Sequence, residues 1–144
     1  MNKTIIKLST LSSPINVTDY CPVYKKNEFY NFKERLFVQL DNIDAKVFTH
    51  EKYGNSMVIK NDTFNKFIIQ PLEEELKIRN SIIRDEYETV RIKLKNTQYK
   101  VDNVKMSEVE TLPKQLTECN IILEVMYYKK SERTNGISLT CRRI

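Results

Sequence analysis

Alternation of apolar and polar residues predicts β-strands in several parts of the chain. In residues 35–41 every second side chain is apolar, which is typical of a strand with one buried face. The segment after residue 128 is polar and ends in Asn135-Gly136, a dipeptide that favours a hairpin. The same two-residue period predicts further strands at 45–50, 57–59, 90–95, 99–101, 121–125 and 137–141.

The clearest alternation, at 90–95, places three apolar residues on one face and three cations on the other. We expect Val90, Ile92 and Leu94 to face the core, because one face of such a strand is buried. The cations that then face outward together are Arg91, Lys93 and Lys95.

A helical period lies between residues 62 and 84, where apolar residues recur at spacings of three and four. Asp62 or Thr63 supplies an N-cap. Pro71 is unfavourable inside a helix but suits a first turn, so we predict one helix to residue 70 and a second at 71–84. The three glutamates at 73–75 are expected to face mostly outward.

The order of strands, helical pair and further strands indicates an α+β chain that is mainly β. With mostly antiparallel pairing, this order suggests a small β-barrel with an inserted helical segment at about 62–84. A length of 144 residues provides one modest core, so we assign 1–144 to a single domain.

The available residue types favour a small basic binding domain over an enzyme. One His, three Cys and two Gly leave few groups for acid–base or metal chemistry and exclude glycine-rich nucleotide-binding loops, so we expect no cofactor. An odd number of cysteines without a Cys-X-X-Cys motif fits a reducing compartment. No stretch resembles a signal peptide or approaches the ~20 apolar residues of a membrane span. The expected location is therefore intracellular, in cytoplasm or nucleus, without membrane association.

The formal charge of +5 is concentrated in residues 91–105 and 125–144, which each carry five positive groups and one negative group. Such asymmetry favours a polyanionic partner. Cations can track phosphates while tyrosine rings stack on unpaired bases, so we predict binding to single-stranded nucleic acid. Strand alternation turns one of Tyr127 and Tyr128 inward. The candidate contact residues are Arg91, Lys93, Lys95, Tyr99, Lys100, Tyr127, Tyr128, Lys129, Lys130, Arg133, Arg142 and Arg143.

Three segments resemble the OB-fold single-stranded DNA-binding proteins of large DNA viruses and phages. They are the helical segment at 67–76, the basic strand at 90–95, and the strand, polar loop and Gly-Ile strand at 121–144. The resemblance covers about residues 35–144 and implies a small antiparallel Greek-key barrel, OB-like, whose open face binds DNA. It leaves 1–34 as an N-terminal extension or extra strand. Carried over by position, it implies contacts by Arg91, Lys93, Lys129 and either Tyr127 or Tyr128.

The leading hypothesis is a non-catalytic, largely sequence-independent single-stranded DNA-binding protein acting in replication or recombination of a viral or mobile element. RNA as a ligand, self-association and replication proteins as further partners stay open. The basic end at Arg142 and Arg143 differs from the acidic tail with which many such proteins recruit replication enzymes. An alternative is a β-barrel module that recruits an acidic protein partner without nucleic acid. A third hypothesis is a small metal-dependent nuclease using Asp41 and Asp44.

Overall fold

Strands dominate the computed structural model of this chain, which describes residues 3–17, 23–26, 29–32, 35–50, 52, 54–84, 86–95, 97–101, 104–106, 112–129 and 134–144. One sheet contains β1 (Lys3–Lys7), β4 (Arg35–Phe48), β5 (Ser56–Lys60), β6 (Thr89–Lys93), β9 (Gln115–Lys129) and β10 (Asn135–Arg143). Two hairpins form separate small sheets, β2 (Val23–Lys26) with β3 (Phe29–Phe32) and β7 (Tyr99–Val101) with β8 (Val104–Met106). β7, at the predicted strand 99–101, pairs with β8. The prediction of a mainly β fold with a helical segment is confirmed.

The main sheet is mixed, and its strand order returns to its start. The order is β1-β4-β5-β6-β10-β9, and β9 also pairs with β4, so hydrogen bonding runs in a ring through five strands. β6 and β10 are parallel neighbours, and β1 joins β4 in parallel from outside the ring. The pairing is predicted to be mostly antiparallel, and among the described strands β1 with β4 and β6 with β10 are the parallel pairs. β1 is the part of the N-terminal region that belongs to the main sheet.

Inward-facing side chains of the ring and the helix form one buried cluster. Val90, Ile92 and Leu94 are each 5% exposed or less, whereas the cations between them are exposed, as the alternation predicts. Burying one such aliphatic side chain contributes roughly 1.5–3 kcal/mol, which holds β6 in this orientation. The outer face of β6 is consequently lined by cations.

The two strands predicted within 35–50 are one strand, β4, which pairs with β9 along most of its length. Near the middle of β4 the pairing shifts register, and Asn42 of β4 and Glu118 of β9 have left-handed backbones with φ of 56° and 49°. The Asn42 N–H donates to Asn120 Oδ1 at 2.9 Å and the Glu118 N–H to Asp44 Oδ1 at 3.0 Å. Side chains thus satisfy backbone groups at the bulge. The bulge shifts the apolar alternation, which is why the sequence pattern divides there.

The helical region is one continuous element, and the prediction of two separate helices is wrong. Its N-cap is Asn61, whose Oδ1 accepts the Phe64 N–H at 2.9 Å, just before the predicted caps. We call the whole element, 62–75, helix α1; it consists of α-helical Asp62–Phe64, π-helical Asn65–Ile69 and α-helical Gln70–Glu75.

Helix α1 runs through Pro71 because another part of the chain replaces the missing donor. In a regular helix the N–H of residue 71 would donate to the Phe67 carbonyl, but proline has no N–H. The Ile15 N–H donates to this carbonyl instead, at 3.0 Å. The buried Ile15 therefore fastens the N-terminal segment to the helix.

Helix α1 ends at Glu75, so the prediction that helix continues to residue 84 is also wrong. The Lys77 N–H donates to the Glu74 carbonyl and the Ile78 N–H to the Glu73 carbonyl, which is a Schellman motif. Lys77 takes the left-handed conformation that this motif requires, with φ of 53°. No helix in the described part of the chain is both long and apolar enough to cross a membrane.

The predicted C-terminal hairpin is confirmed, with β9 and β10 antiparallel. Its Asn-Gly pair does not form the turn, because Asn135 and Gly136 already lie in β10, opposite Lys129 and Tyr128. A Cβ atom on Gly136 would lie 2.7 Å from Tyr128 Oη. Glycine is needed at this position because the tyrosine ring covers it.

Candidate nucleic-acid interface

The outer faces of β4, β5 and β6 together form a continuous surface. Neighbouring strands lie about 4.8 Å apart, so facing residues on three strands span roughly 10 Å. The register aligns two outward rows across the three strands, Lys46–Val58–Arg91 and Phe48–Ser56–Lys93.

A cavity of ≈ 560 Å³ opens on this surface, and we call it the groove. Its floor comes from β4, β5 and β6, and one wall comes from the segment between helix α1 and β6. Cations and aromatic rings line it together: Lys46, Phe48, Lys60, Arg84, Tyr87 and Arg91.

Both aromatic rings of the groove are open to solvent. Phe48 is 45% exposed and Tyr87 62% exposed. The Arg91 guanidinium lies 5.4 Å from the centroid of the Phe48 ring and donates to Ser56 Oγ at 2.7 Å. Arg91 is therefore held over one face of the Phe48 ring, where the charge of the guanidinium is attracted to the ring.

A tight turn presents Tyr87 at the groove wall. The Arg84 N–H donates to the Thr89 carbonyl at 2.9 Å, and the Glu88 N–H donates back to the Arg84 carbonyl at 2.7 Å. Glu88 has a left-handed backbone with φ of 54°, a conformation that costs a non-glycine residue free energy. The closed turn points Tyr87 away from the core.

Helix α1 holds this wall through two side chains. The buried Asn65 donates from Nδ2 to the Glu88 carbonyl at 2.9 Å. The Glu73 carboxylate accepts from Ser81 Oγ at 2.5 Å and from the Ile82 N–H at 2.9 Å. Glu73 is therefore a structural anchor rather than one of three outward glutamates, and it fixes the segment from which Ile82 enters the groove.

One groove cation has a weak internal partner. Lys60 Nζ lies 3.9 Å from Glu88 Oε2, and both side chains are more than 60% exposed. An exposed pair of this kind contributes at most about 1 kcal/mol, so a phosphate could displace the carboxylate.

Five of the predicted cations lie on the adjacent strands β6 and β10 or just beyond β6. Lys93 faces outward opposite Thr140 of β10, and Arg142 Nη1 donates to the Lys95 carbonyl at 3.4 Å. Arg91 lies in the groove, while Arg143 is exposed near the end of β10. The structure therefore brings the two predicted basic segments together at the junction of β6 and β10.

Arg142 is engaged in an ion cluster rather than free. Glu124 Oε1 accepts from Arg142 Nε at 2.9 Å and from Arg35 Nη2 at 2.8 Å, and its side chain is 7% exposed. Burial raises the pKa of Glu124, but the hydrogen bonds and charges of the two arginines outweigh it, so the pKa lies below its ordinary value. The cluster joins β4, β9 and β10.

Tyr127 and Tyr128, which the sequence predicts to stack, are not among the described residues that line the groove. Tyr127 is 5% exposed and faces inward, opposite Ile137, which agrees with the alternation. Tyr128 is half-buried and covers Gly136. Tyr99 and Lys100 lie in β7 and Lys129 lies at the end of β9, and only the backbone of these three residues is described. Lys130 and Arg133 fall outside the described residues.

Five of the six cationic and aromatic residues that line the groove are ones that the sequence analysis did not select. Alternation on β4 could have identified two of them, since it turns Lys46 and Phe48 to the face opposite the core. Tyr87 is an aromatic residue in an otherwise polar turn, a second usable signal. Lys60 and Arg84 carried no such signal, because their place in the groove depends on strand pairing and on the fold of the wall.

The proposed nuclease carboxylates have local hydrogen-bonding roles. Asp41 Oδ1 accepts from Gln39 Nε2 at 3.0 Å, and Asp44 Oδ1 accepts the N–H of Glu118. Among the described residues, no three His, Cys, Asp or Glu side chains are placed to hold a metal ion together.

Burial raises the pKa of Cys141 to about 12, so its thiol stays protonated at neutral pH.

Comparison with protein-family models, with characterised proteins and with solved structures finds no match for this chain.

Proposed function

We propose that this chain is a non-catalytic protein that binds single-stranded DNA, largely independently of sequence, in the groove on β4, β5 and β6. One observation carries the proposal: two exposed aromatic rings share a groove with four cations, and Lys93 lies alongside it. Unpaired bases need ring faces for stacking and phosphates need cations, and few other ligands need both in an open groove.

The strand order supports an OB-like barrel as the scaffold. In chain order the five ring strands are β4, β5, β6, β9 and β10, so β5 and β6 are the second and third. OB-folds bind oligonucleotides on the face of their second and third strands. The groove lies on these two strands and their neighbour β4. A role in replication or recombination belongs to the same proposal.

The spacing of the cations suits an extended nucleic-acid strand. Alternate residues along a strand are about 7 Å apart, close to the distance between successive phosphates of an extended chain. Arg91 and Lys93 have this relation on β6, and Lys95 follows them. We therefore place the DNA backbone along β6, with bases directed across β5 toward Phe48.

The proposal is tested by fluorescence-anisotropy titration of single- and double-stranded oligonucleotides at two ionic strengths. Single strands should bind more tightly, because paired bases cannot stack on Phe48 and Tyr87. Changing Arg91→Ala and Lys93→Ala together should weaken binding about tenfold or more and reduce the salt dependence, which is about 0.7 log units per phosphate contact in single strands.

The matched control is the pair Lys7→Ala and Lys66→Ala, which removes the same charge from exposed positions outside the groove. It should change affinity little, and both double variants should unfold at nearly the wild-type temperature. Equal weakening by the two pairs would contradict the proposed site. Binding of an acidic peptide together with no binding of DNA at low salt would favour the alternative, a protein-interaction module.

A further inference from the structure

Free hydrogen-bond acceptors line one side of the groove. Asp44 on β4 and Gln115 on β9 border the same cavity as the guanidinium groups. Asp44 Oδ1 accepts the Glu118 N–H, and Gln115 Nε2 donates to the Leu116 carbonyl at 3.2 Å. Within the described residues no hydrogen bond engages Asp44 Oδ2 or Gln115 Oε1. This side of the groove therefore offers free acceptors beside the Lys46 ammonium, whereas β6 offers the guanidinium of Arg91.

A free carboxylate oxygen on Asp44 can distinguish bases. β4 and β6 are two strand spacings apart, roughly 10 Å, so a phosphate on Arg91 leaves its base free to reach β4. Cytosine presents an N4 amino donor where thymine presents the O4 acceptor, and Asp or Glu side chains accept from cytosine N4. The hydrogen bond from Glu118 keeps the Asp44 carboxylate in place. Thymine O4 would meet a negative charge.

We infer that Asp44 gives the groove a preference for cytosine over thymine. The inference rests on the proposed function and specifies the base preference of that site. Both pyrimidines offer similar area for stacking on Phe48 or Tyr87, so the exocyclic group at position 4 decides between them.

The test compares labelled oligo-dC and oligo-dT of equal length, titrated by anisotropy into the wild-type protein and the Asp44→Asn variant. The wild type should bind oligo-dC at least about tenfold more tightly, as expected for one added hydrogen bond to a charged group. Asp44→Asn should abolish or reverse this ratio. The asparagine keeps the oxygen that accepts from Glu118 but replaces the free acceptor with an NH₂ donor.

Asp41→Asn is the control, because it removes the same charge from an exposed position on β4 outside the groove. Asp41→Asn should bind both oligonucleotides slightly more tightly, since repulsion of phosphates falls, and only Asp44→Asn should change the ratio. Equal wild-type affinity for the two oligonucleotides, or the same ratio in both variants, would overturn the preference and leave the proposed function standing. No binding to either oligonucleotide would overturn both.

Discussion

Phe48 and Tyr87 reach the groove by different local routes. Phe48 belongs to β4, where alternation turns it outward, and Tyr87 is held out by the hydrogen-bonded turn between Arg84 and Thr89. Because both rings are already exposed, covering them with a base requires no rearrangement of the core. A stacked base contributes about 1–3 kcal/mol.

Replacing Tyr87 by Ala should therefore weaken binding of single-stranded DNA by about five- to hundredfold, from the loss of one stacked base. Tyr87→Phe retains the ring and should bind nearly as the wild type does. Salt dependence should stay the same in both, since neither change touches a cation. Anisotropy titrations over a series of salt concentrations measure both quantities. Wild-type affinity in Tyr87→Ala would show that the turn does not contact the DNA.

At the scale of elements, helix α1 supports the groove wall. Its buried Asn65 and its Glu73 bind the segment that leads to β6, and the helix itself depends on the Ile15 N–H at Pro71. Most of the stability of such a short helix comes from packing and from contacts of this kind. The N-terminal segment therefore stabilises the wall without lining the groove.

The Ile15 amide should exchange its hydrogen slowly, although it belongs to no strand or helix. Its N–H donates to a helix carbonyl and its side chain is buried, so exchange requires opening of the helix contact. Protection should exceed that of the exposed Ser12 and Ser13 by at least about a hundredfold. Hydrogen exchange followed by NMR measures this. Equal rates at the three positions would show that the segment is not fastened to Phe67.

At the scale of the whole molecule, closure of the ring depends on β9, which pairs with both β4 and β10. Glu124 reinforces both pairings, since it binds Arg35 of β4 and Arg142 of β10. A buried carboxylate between two arginines is costly to disrupt, because removal of its charge leaves the cations without their partner.

Glu124→Gln should lower the free energy of unfolding by about 1–3 kcal/mol at neutral pH. The folded-state pKa of Glu124 lies below its unfolded value, so the stabilisation is present above the ordinary glutamate pKa of about 4.3 and is lost as the pH falls through the lower folded value. Denaturant unfolding from pH 7 to pH 3 should show the difference from wild type shrinking below about pH 4. Glu74→Gln, at an exposed helix position, is the control; a difference independent of pH would contradict this account.

The sequence by itself determined where the five strands of the ring lie and which of their faces point inward, although it divided β4 in two. Two-residue alternation at 90–95 sets which side chains of β6 are buried, because burial of aliphatic groups decides the orientation of a strand. It also determined the C-terminal hairpin and the inward position of one of the two residues Tyr127 and Tyr128. These features depend on residues that are close in sequence or on burial of one face of a strand. The local order of apolar and polar residues is sufficient to predict both.

The tertiary structure alone decided the extent of β4 and α1 and the composition of the groove. A side chain from β9 satisfies the bulge of β4, and the N–H of Ile15 allows the helix to continue through Pro71. Lys60 and Tyr87 meet Phe48 only after β4, β5 and β6 pair and α1 fastens the wall. Such partners lie far apart in sequence, so the free energy of each contact depends on a register that no local pattern contains.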